Sequence, residues 1–266
     1  MRLSPLVSSY DHVLLDLDGC VWIGEQVTPE APAAIGELRA AGKSLAFLTN
    51  DPGRSPEEYV RKLWSLGVRA SLEEVVTVGS AIQHLLAERV PGTAVYVIGS
   101  PAIFRHVTDA GMRVVNETDR ASEAQLVVIA GHDDFHFSEL RAATQAVLAG
   151  AEMIATSRDR TFPAEDGLCP GTGAILAALE YATEREAWIV GKPGPQMFRT
   201  ALDRLGRGRV LVIGDRIDSD LSGAAAAGLD AAIVLTGVST RSEAEAARDP
   251  QPVAIAENLS SLVRGR

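Results

Sequence analysis

Short apolar runs and amphipathic segments alternate along the whole chain. The apolar runs are rich in β-branched residues and bounded by polar or glycine-containing stretches, which is typical of buried strands. The segments between them carry apolar residues three and four positions apart, which predicts helices packed on one face. The predicted strands are 13–17, 43–48, 75–78, 94–98, 125–129, 153–156, 188–190, 210–213, 231–235 and 253–256.

Capping signals place the starts of the predicted helices. Thr28, followed by a proline and an acid, is expected to cap a helix that runs to Ala41, with Gly42 at its C-terminal end. Further starts are predicted at Ser55, Ser100, Ser138 and Thr240, and the stretch 170–173 is expected to open another helix. Because strand and helix signals alternate, the predicted fold is an α/β, doubly wound parallel sheet of the Rossmann-like type. No repeat or linker interrupts the alternation, so a second domain would have to be inserted into the first.

Composition and charge narrow the functional classes. The 266 residues carry a formal net charge of -10, which argues against a nucleic-acid-binding protein. No run of about 18 apolar residues is present, and the first residues lack the apolar core of a signal peptide, so we expect no membrane association. The two cysteines, Cys20 and Cys169, have neither metal-site spacing nor disulfide density, which favours reduced thiols and a cytoplasmic location.

Chemically active side chains follow the predicted strands at four places. Two carboxylates spaced i, i+2 lie on one face of a strand end, where their charges repel unless a proton or a divalent cation neutralises them. Oxygen ligands of this kind suit Mg²⁺. Ligands of open parallel sheets bind outside the carboxyl ends of the strands, so we expect these groups to converge there. The four places are Asp16 with Asp18, Thr49 with Asn50, Lys192, and Asp215 with Asp220.

These residue types suit phosphoryl transfer from a phosphate ester. The transferred group carries negative charge, so its site needs cations and hydrogen-bond donors. Mg²⁺ held by Asp16 and Asp215 would supply one cation and Lys192 the other, while the Thr49 hydroxyl and the backbone N–H groups after Asp16 would supply donors. One carboxylate can attack phosphorus, and another can protonate the leaving oxygen and later activate water.

In the order and spacing of these motifs the chain resembles the haloacid dehalogenase superfamily. A stretch at 161–163 and 167–174 is similar to its subfamily of p-nitrophenyl, phosphoglycolate and glycerol-phosphate phosphatases. The resemblance covers essentially the whole chain. The four motifs are Asp16-Leu17-Asp18-Gly19, Leu48-Thr49-Asn50, Gly191-Lys192-Pro193 and Gly214-Asp215-Arg216-Ile217-Asp218-Ser219-Asp220.

The resemblance implies a role for each motif residue. Asp16 would be the nucleophile and Asp18 the general acid/base. Asp220 would orient Lys192 or a metal-bound water. Mg²⁺ would be bound by Asp16, the backbone carbonyl of Asp18, and Asp215; the phosphoryl group would be bound by Thr49, Asn50, Lys192 and Gly19.

The resemblance also implies a domain organisation and a partner. Residues 1–78 and 187–266 would form the hydrolase core, and 79–186 an inserted α/β cap that selects a small phosphorylated metabolite. A homodimer formed through the cap is an open alternative. Two departures from the family pattern, Asp51 and Ser157, bear on the identity of the substrate and leave the reaction type unchanged.

Other conspicuous residues have simpler interpretations. The cluster from His132 to His136 is expected to be a structural or substrate-facing loop rather than a metal site. Arg158 is expected in a solvated loop, with contact to an anionic substrate as the alternative. Asp218 could replace a neighbouring acid as a ligand, and Cys20 is expected to be a packing residue.

The sequence is also compatible with two other functions. A phospho-aspartate signalling switch uses a similar Asp, Thr and Lys set, but it lacks an acid two residues after the phosphorylated Asp, where this chain has Asp18. A non-catalytic phosphate-binding protein would not need the complete set of reactive groups. The favoured prediction is therefore a Mg²⁺-dependent phosphatase that forms an aspartyl-phosphate intermediate.

Overall fold

The structure, a computed structural model, describes residues 3–116, 118–164 and 167–265; for 161–164, 167 and 168 it describes the backbone alone. The strands in chain order are β1 (His12–Asp16), β2 (Trp22–Ile23), β3 (Gln26–Val27), β4 (Ser44–Thr49), β5 (Val75–Thr77), β6 (Ala94–Ile98), β7 (Arg113–Val114), β8 (Leu126–Ile129), β9 (Glu152–Ala155), β10 (Thr161–Ala164), β11 (Gly167–Pro170), β12 (Trp188–Ile189), β13 (Val210–Gly214), β14 (Asp230–Val234) and β15 (Ala254–Ala256).

The helices connect these strands. They are α1 (Pro5–Ser8), α2 (Ala31–Ala40), α3 (Pro56–Ser65), α4 (Val78–Ala87), α5 (Pro101–Asp109), α6 (Phe137–Leu148), α7 (Thr172–Thr183), α8 (Gln196–Leu205), α9 (Ser222–Ala226), α10 (Arg241–Ala246) and α11 (Leu259–Arg264). A 3₁₀ turn spans Ala121–Glu123, and a π-type turn spans Ile217–Leu221 just before α9.

Contacts divide the chain into two units. The six-stranded unit comprises Met1–Thr49, Pro56–Val76 and Lys192–Arg266, and the five-stranded unit comprises Asn50–Ser55 and Thr77–Gly191. We name each unit after its main sheet.

The main sheet of the six-stranded unit has the order β15-β14-β13-β1-β4-β5. The chain builds outward from β1 through β4 to β5, then returns to the other side of β1 and builds outward through β13, β14 and β15. The pairs β1–β4, β1–β13, β13–β14 and β14–β15 are parallel. The direction therefore reverses between β1 and β13, which is where doubly wound sheets bind ligands.

Apolar side chains on both faces of β1 explain its central position. All five residues of β1 are buried. Val13 and Leu15 pack into a core with Phe47, Ile213 and residues of α2, α3 and α11. A strand that is buried on both faces cannot lie at a sheet edge without exposing apolar surface, so β1 lies between β4 and β13.

The five-stranded unit repeats this construction with a second parallel sheet of order β12-β9-β8-β6-β7. Its core brings Ile98, Val127 and Ile129 together with Ala143 and Leu179 of α6 and α7. Strands β10 and β11 form a separate antiparallel pair.

Strand β12 joins the sheet of the five-stranded unit, where it pairs with β9. From its sequence pattern, this run is predicted to end at the ligand-binding edge of the same sheet as β1. That expectation is wrong, because Trp188 lies opposite Ile154 and Ile189 opposite Ala155. Consistently, the five-stranded unit extends to Gly191, and Lys192 is the first residue that returns to the six-stranded unit.

Two predicted helix caps are displaced by two residues. Helix α2 begins after Glu30, which has a positive φ of 56°, while the Thr28 hydroxyl donates to the carbonyls of Cys20 and Val21. Helix α6 begins after His136, because Glu139 reaches back to the His136 N–H and completes a capping box there rather than at Ser138.

The predicted α/β class with a doubly wound parallel sheet is confirmed. Most predicted strands coincide with observed strands within one or two residues. None of the helices in the described part of the chain has the length and apolar content needed to span a bilayer.

Candidate active site

The end of β1 places Asp16 beside the point where the sheet reverses direction. Asp16 is 7% exposed although it carries a carboxylate. Burial raises the pKa of Asp16 well above its usual value, and the charge of Lys192 opposes this rise. A buried carboxylate at a strand end is costly unless a cation compensates it, so this position requires a positive partner.

Lys192 supplies that partner. Its ammonium donates to Asp16 Oδ1 and, at 2.7 Å, to Asp220 Oδ1. The lysine side chain is only 4% exposed. Burial alone would lower the pKa of Lys192, but the charges of Asp16 and Asp220 outweigh burial and raise that pKa. Lys192 is therefore a buried cation that joins the end of β1 to the turn after β13.

Asp215 directly follows β13, on the other side of the reversal point from β4. The residue is 1% exposed. Its Oδ2 accepts the Val238 N–H at 2.6 Å, whereas Oδ1 is buried and has no hydrogen-bond partner. Burial and the nearby Asp220 raise the pKa of Asp215. An unsatisfied carboxylate oxygen in such a position needs a ligand from outside the protein chain.

The loop 235–239 after β14 fixes the Asp215 side chain. The backbone N–H of Ser239 donates to the Asp215 carbonyl, and the Thr236 hydroxyl donates to the carbonyl of Gly19 at 2.5 Å. A Cβ at Gly19 would lie 2.5 Å from Asp215 Oδ2, and one at Gly237 would overlap the same carboxylate. Both positions therefore require glycine.

Asp220 lies in the π-type turn after β13 and is 1% exposed. Its Oδ1 accepts from Lys192, and its Oδ2 accepts the Arg216 N–H at 3.1 Å. Asp218 points elsewhere: it forms a two-point ion pair with the Arg216 guanidinium at 3.0 and 3.1 Å, which lowers the pKa of Asp218. Of the three acids of this motif, Asp215 and Asp220 thus face the cluster, and Asp218 pairs with Arg216 at the surface.

The carboxylates of Asp16, Asp215 and Asp220 have ligand atoms within 4.8 Å of one another, and all three residues are buried. When all three are ionised, they carry two more negative charges than Lys192 neutralises, which matches a divalent cation. Both Asp220 oxygens already have donors, whereas Asp215 offers an unpaired Oδ1. The residues present therefore fit Mg²⁺, with Asp16 and Asp215 as the better ligands.

Asp18 lies two residues beyond Asp16 in an exposed position. Its Oδ1 accepts the indole N–H of Trp22 at 2.7 Å, and an isolated bridge links the two backbones. The N–H of Gly19 is engaged in this turn, since it donates to the Trp22 carbonyl at 2.7 Å. The phosphoryl-binding role of Gly19 and the metal-binding role of the Asp18 carbonyl stay predictions.

The second motif divides between the two units. Thr49 ends β4, is 1% exposed and follows Leu48, which lies opposite Asp16. Asn50 and Asp51 belong to the five-stranded unit. Asn50 packs against Gly191, and Asp51 accepts the Gly53 N–H at 2.8 Å. Contacts of Thr49 and Asn50 with substrate stay predictions.

The remaining candidates have structural partners. His132 contacts Glu139 at 3.1 Å, and among the described residues the only cluster of three possible metal-ligating side chains is the one at Asp16. Arg158 forms a two-point ion pair with Glu180 at 2.7 and 2.8 Å. Cys20 is fully buried, and burial raises the pKa of its thiol, as a packing residue requires.

Sequence reasoning missed two features of the site. The sequence pattern assigns no role to Trp22, and the residues 236–239 of this loop lie between the predicted strand 231–235 and the predicted cap at Thr240. The loop had a detectable signal, because it follows the carboxyl end of a strand in the sheet that holds the carboxylates. Trp22 had none, because a tryptophan four residues after an acid is an ordinary arrangement.

Family models match two parts of the chain. A model described as haloacid dehalogenase-like hydrolase matches residues 13–113, which include the first two motifs. A second model, described as HAD-hydrolase-like, matches residues 189–262, which include the other two.

Curated relatives and solved structures match nearly the whole chain. A D-glycerol 3-phosphate phosphatase of Mycobacterium tuberculosis is 36% identical over 98% of this chain and 73% of its own length. A glycerol-3-phosphate phosphatase of Gallus gallus is 35% identical over 90% of this chain and 83% of its own. The crystal structure of the M. tuberculosis glycerol phosphate phosphatase in complex with magnesium superposes with a TM-score of 0.90 at 36% identity, covering 98% of this chain and 79% of that one.

The chain belongs to the haloacid dehalogenase-like hydrolases. The four motifs that carried the predicted resemblance are thus confirmed as those of a family member.

Proposed function

We propose that this chain hydrolyses the phosphate monoester of a small polyol such as glycerol 3-phosphate, with Mg²⁺ as cofactor and Asp16 as nucleophile. The phosphatase class and the Mg²⁺ dependence follow from the family and its magnesium-bound relative. The choice of a polyol phosphate rests on two glycerol-phosphate phosphatases that are 36% and 35% identical to this chain over the aligned residues.

One observation carries the proposal. The buried Lys192 contacts both Asp16 and Asp220, beside the unpaired oxygen of Asp215, at the reversal point of a doubly wound sheet. This arrangement brings one cation and several carboxylates together. Phosphoryl transfer needs a nucleophile and groups that bind the negative charge of the phosphoryl group, and this site offers both.

The residues would act in two steps. An Asp16 oxygen attacks phosphorus, the bond from phosphorus to the leaving oxygen breaks, and Asp18 gives its proton to that oxygen. A water then attacks the phosphorus of the aspartyl-phosphate and gives a proton to Asp18. The bond from phosphorus to Asp16 breaks, so that both carboxyl groups return to their starting states.

Three groups would stabilise the charge of the transferred phosphoryl unit. Lys192 would hold one of its oxygens, and the Thr49 hydroxyl would donate to another. Mg²⁺, bound by Asp16 and Asp215 with the Asp18 carbonyl, would supply further electrostatic stabilisation when present. Asp220 would keep the Lys192 ammonium aimed at the site.

Sustained phosphate release from glycerol 3-phosphate in Mg²⁺ tests the proposal. We expect many turnovers per chain, loss of activity in EDTA and recovery on adding Mg²⁺. Phosphoglycolate, nucleoside monophosphates and sugar phosphates in the same assay rank the substrates. Release that stops after one equivalent would instead indicate a phospho-aspartate switch, and no release from any ester would overturn the enzyme.

Three further expectations complete the proposal. The five-stranded unit would act as the cap that selects the substrate, so that substitutions in it shift kcat/KM among phosphate esters. Both cysteines are free, which suits a reducing cytoplasm. A homodimer would give twice the chain mass in light scattering coupled to size-exclusion chromatography.

A further inference from the structure

A buried tryptophan holds the exposed carboxylate of Asp18. The indole N–H of Trp22 donates to Asp18 Oδ1 at 2.7 Å, and Trp22 itself is 0% exposed. The acid thus lies at the surface while its hydrogen-bond donor is fixed in the core. Tryptophan has two side-chain torsions and a rigid donor, so it can fix a partner at little cost in conformational entropy.

The indole is itself immobilised from both the ring face and the backbone. Its ring stacks on Tyr59 of α3, with centroids 6.3 Å apart and planes 5° from parallel. The Lys62 ammonium lies 4.6 Å from the centroid of the indole and donates to the carbonyl of Gly24 at 2.9 Å. The Trp22 N–H donates to Leu17 O at 3.1 Å, and Trp22 O accepts from Gly19. These contacts fix the direction of the indole N–H.

We propose that Trp22 is a positioning residue for the general acid/base Asp18. This inference rests on the proposed function of Asp18. An exposed aspartate samples several rotamers, and a proton donor is effective only in the one that faces the leaving oxygen. Because Oδ1 accepts the indole N–H, Oδ2 is the oxygen left to carry the proton. The Oδ2–H bond breaks and the leaving oxygen gains the proton as its bond to phosphorus breaks.

Substrates with different leaving groups distinguish a role of Trp22 in positioning Asp18 from a role in stabilising the fold. An alkoxide such as that of glycerol needs a proton as it leaves, whereas p-nitrophenolate leaves without one. For Trp22→Phe we expect kcat/KM to fall about 10- to 30-fold with glycerol 3-phosphate and less than about 3-fold with p-nitrophenyl phosphate, a fraction of the ~10²–10⁴-fold worth of a general acid. Equal losses with both esters would mean a structural role and would overturn the inference.

Two controls keep the outcome interpretable. Trp64→Phe removes an indole that donates to Ala70 O at 2.8 Å from a 59% exposed side chain, and it should leave both kcat/KM values unchanged. Asp18→Asn should show the same leaving-group dependence as Trp22→Phe, but more strongly. If Asp18→Asn lowers the two kcat/KM values equally, Asp18 is not the general acid. If Trp22→Phe lowers them equally while Asp18→Asn shows the leaving-group dependence, the positioning inference alone fails.

A shape-preserving replacement decides the case if Trp22→Phe does not fold. Benzothienylalanine at position 22 keeps the two fused rings and replaces the N–H by sulfur. We expect it to retain the stack on Tyr59 and to lose kcat/KM with glycerol 3-phosphate selectively. A wild-type kcat/KM ratio between the two esters in this variant would show that the indole N–H does not position Asp18.

Discussion

The two parallel sheets of this protein end very differently. In the six-stranded unit the strand ends carry the buried charges of Asp16 and Asp215. In the five-stranded unit the ends of β8 and β9 meet the start of α7 through neutral groups. There the Gly131 N–H donates to the Thr172 hydroxyl at 2.8 Å, and the hydroxyls of Thr156 and Thr172 lie 3.2 Å apart.

The difference shows that a parallel sheet provides a place for a site, while the side chains at the strand ends decide whether a ligand is needed. In the five-stranded unit the hydroxyls and backbone N–H groups at this edge satisfy one another. In the six-stranded unit the carboxylates exceed the available cations, and Asp215 Oδ1 has no partner. The charged end of the six-stranded sheet therefore suits a divalent cation.

The largest effect is expected from removing the proposed nucleophile at the carboxyl end of the six-stranded sheet. Asp16→Asn should lower kcat by more than about 10³-fold, because an amide cannot form the aspartyl-phosphate. Phosphate release measured beside far-ultraviolet circular dichroism checks this, with a native spectrum expected. Appreciable residual turnover in a chain free of wild-type enzyme would remove Asp16 as the nucleophile.

The next largest effect is expected from removing the positive charge of Lys192. Lys192→Met should destabilise the protein by about 3–5 kcal/mol in EDTA, because it leaves buried carboxylates without a counter-charge. Mg²⁺ should recover more of the Tm in this variant than it adds to the wild type, since the ion then supplies the missing positive charge. Equal Mg²⁺ effects on the two proteins would mean that Lys192 and the ion do not share the same carboxylates.

A smaller effect tests the packing behind Asp215. Gly237→Ala should weaken Mg²⁺ binding about 10- to 100-fold in isothermal titration calorimetry, because the added methyl group displaces the Asp215 carboxylate. Gly36→Ala is the matched control: it lies within α2, and a Cβ there meets nothing within 4 Å. The control should bind Mg²⁺ normally, and unchanged binding by Gly237→Ala would contradict the role of the loop.

The smallest effect lies in the five-stranded unit. Arg158→Met removes an ion pair with Glu180 in which the arginine side chain is 49% exposed. Such a pair is worth less than about 1 kcal/mol, and salt weakens it further. Urea unfolding at low and high salt should show a small loss that fades with salt. A loss of unfolding free energy as large as that of Lys192→Met would contradict the proposed difference between the two units.

Sequence predicted the charged cluster well because each of its members follows an apolar run. Asp16 and Asp215 could be placed from strand periodicity alone. Lys192 was placed correctly for a partly wrong reason, since the strand before it belongs to the other sheet. Which sheet a two-residue strand joins depends on pairing with distant residues, and local periodicity carries no information about that.

The missed features share a physical cause. The bond from Trp22 to Asp18 depends on how a turn closes, and the bond from Thr236 to Gly19 joins residues 217 positions apart. Neither leaves a repeating pattern in the chain. The predicted helix cap at Thr28 is wrong for a related reason. Thr28 is a good capping residue, but its hydroxyl donates to the carbonyls of Cys20 and Val21 in the preceding turn.

The glycines that enclose the Asp215 carboxylate have a consequence for ion choice. The Asp215 carboxylate packs against Gly19 and Gly237 and accepts the Val238 N–H, and these contacts restrict its movement. Larger ions such as Ca²⁺ need more ligands at longer distances, whereas Mg²⁺ demands a small, nearly ideal octahedron. The immobility of one carboxylate thus favours the smaller ion through size, before any difference in affinity for oxygen is considered.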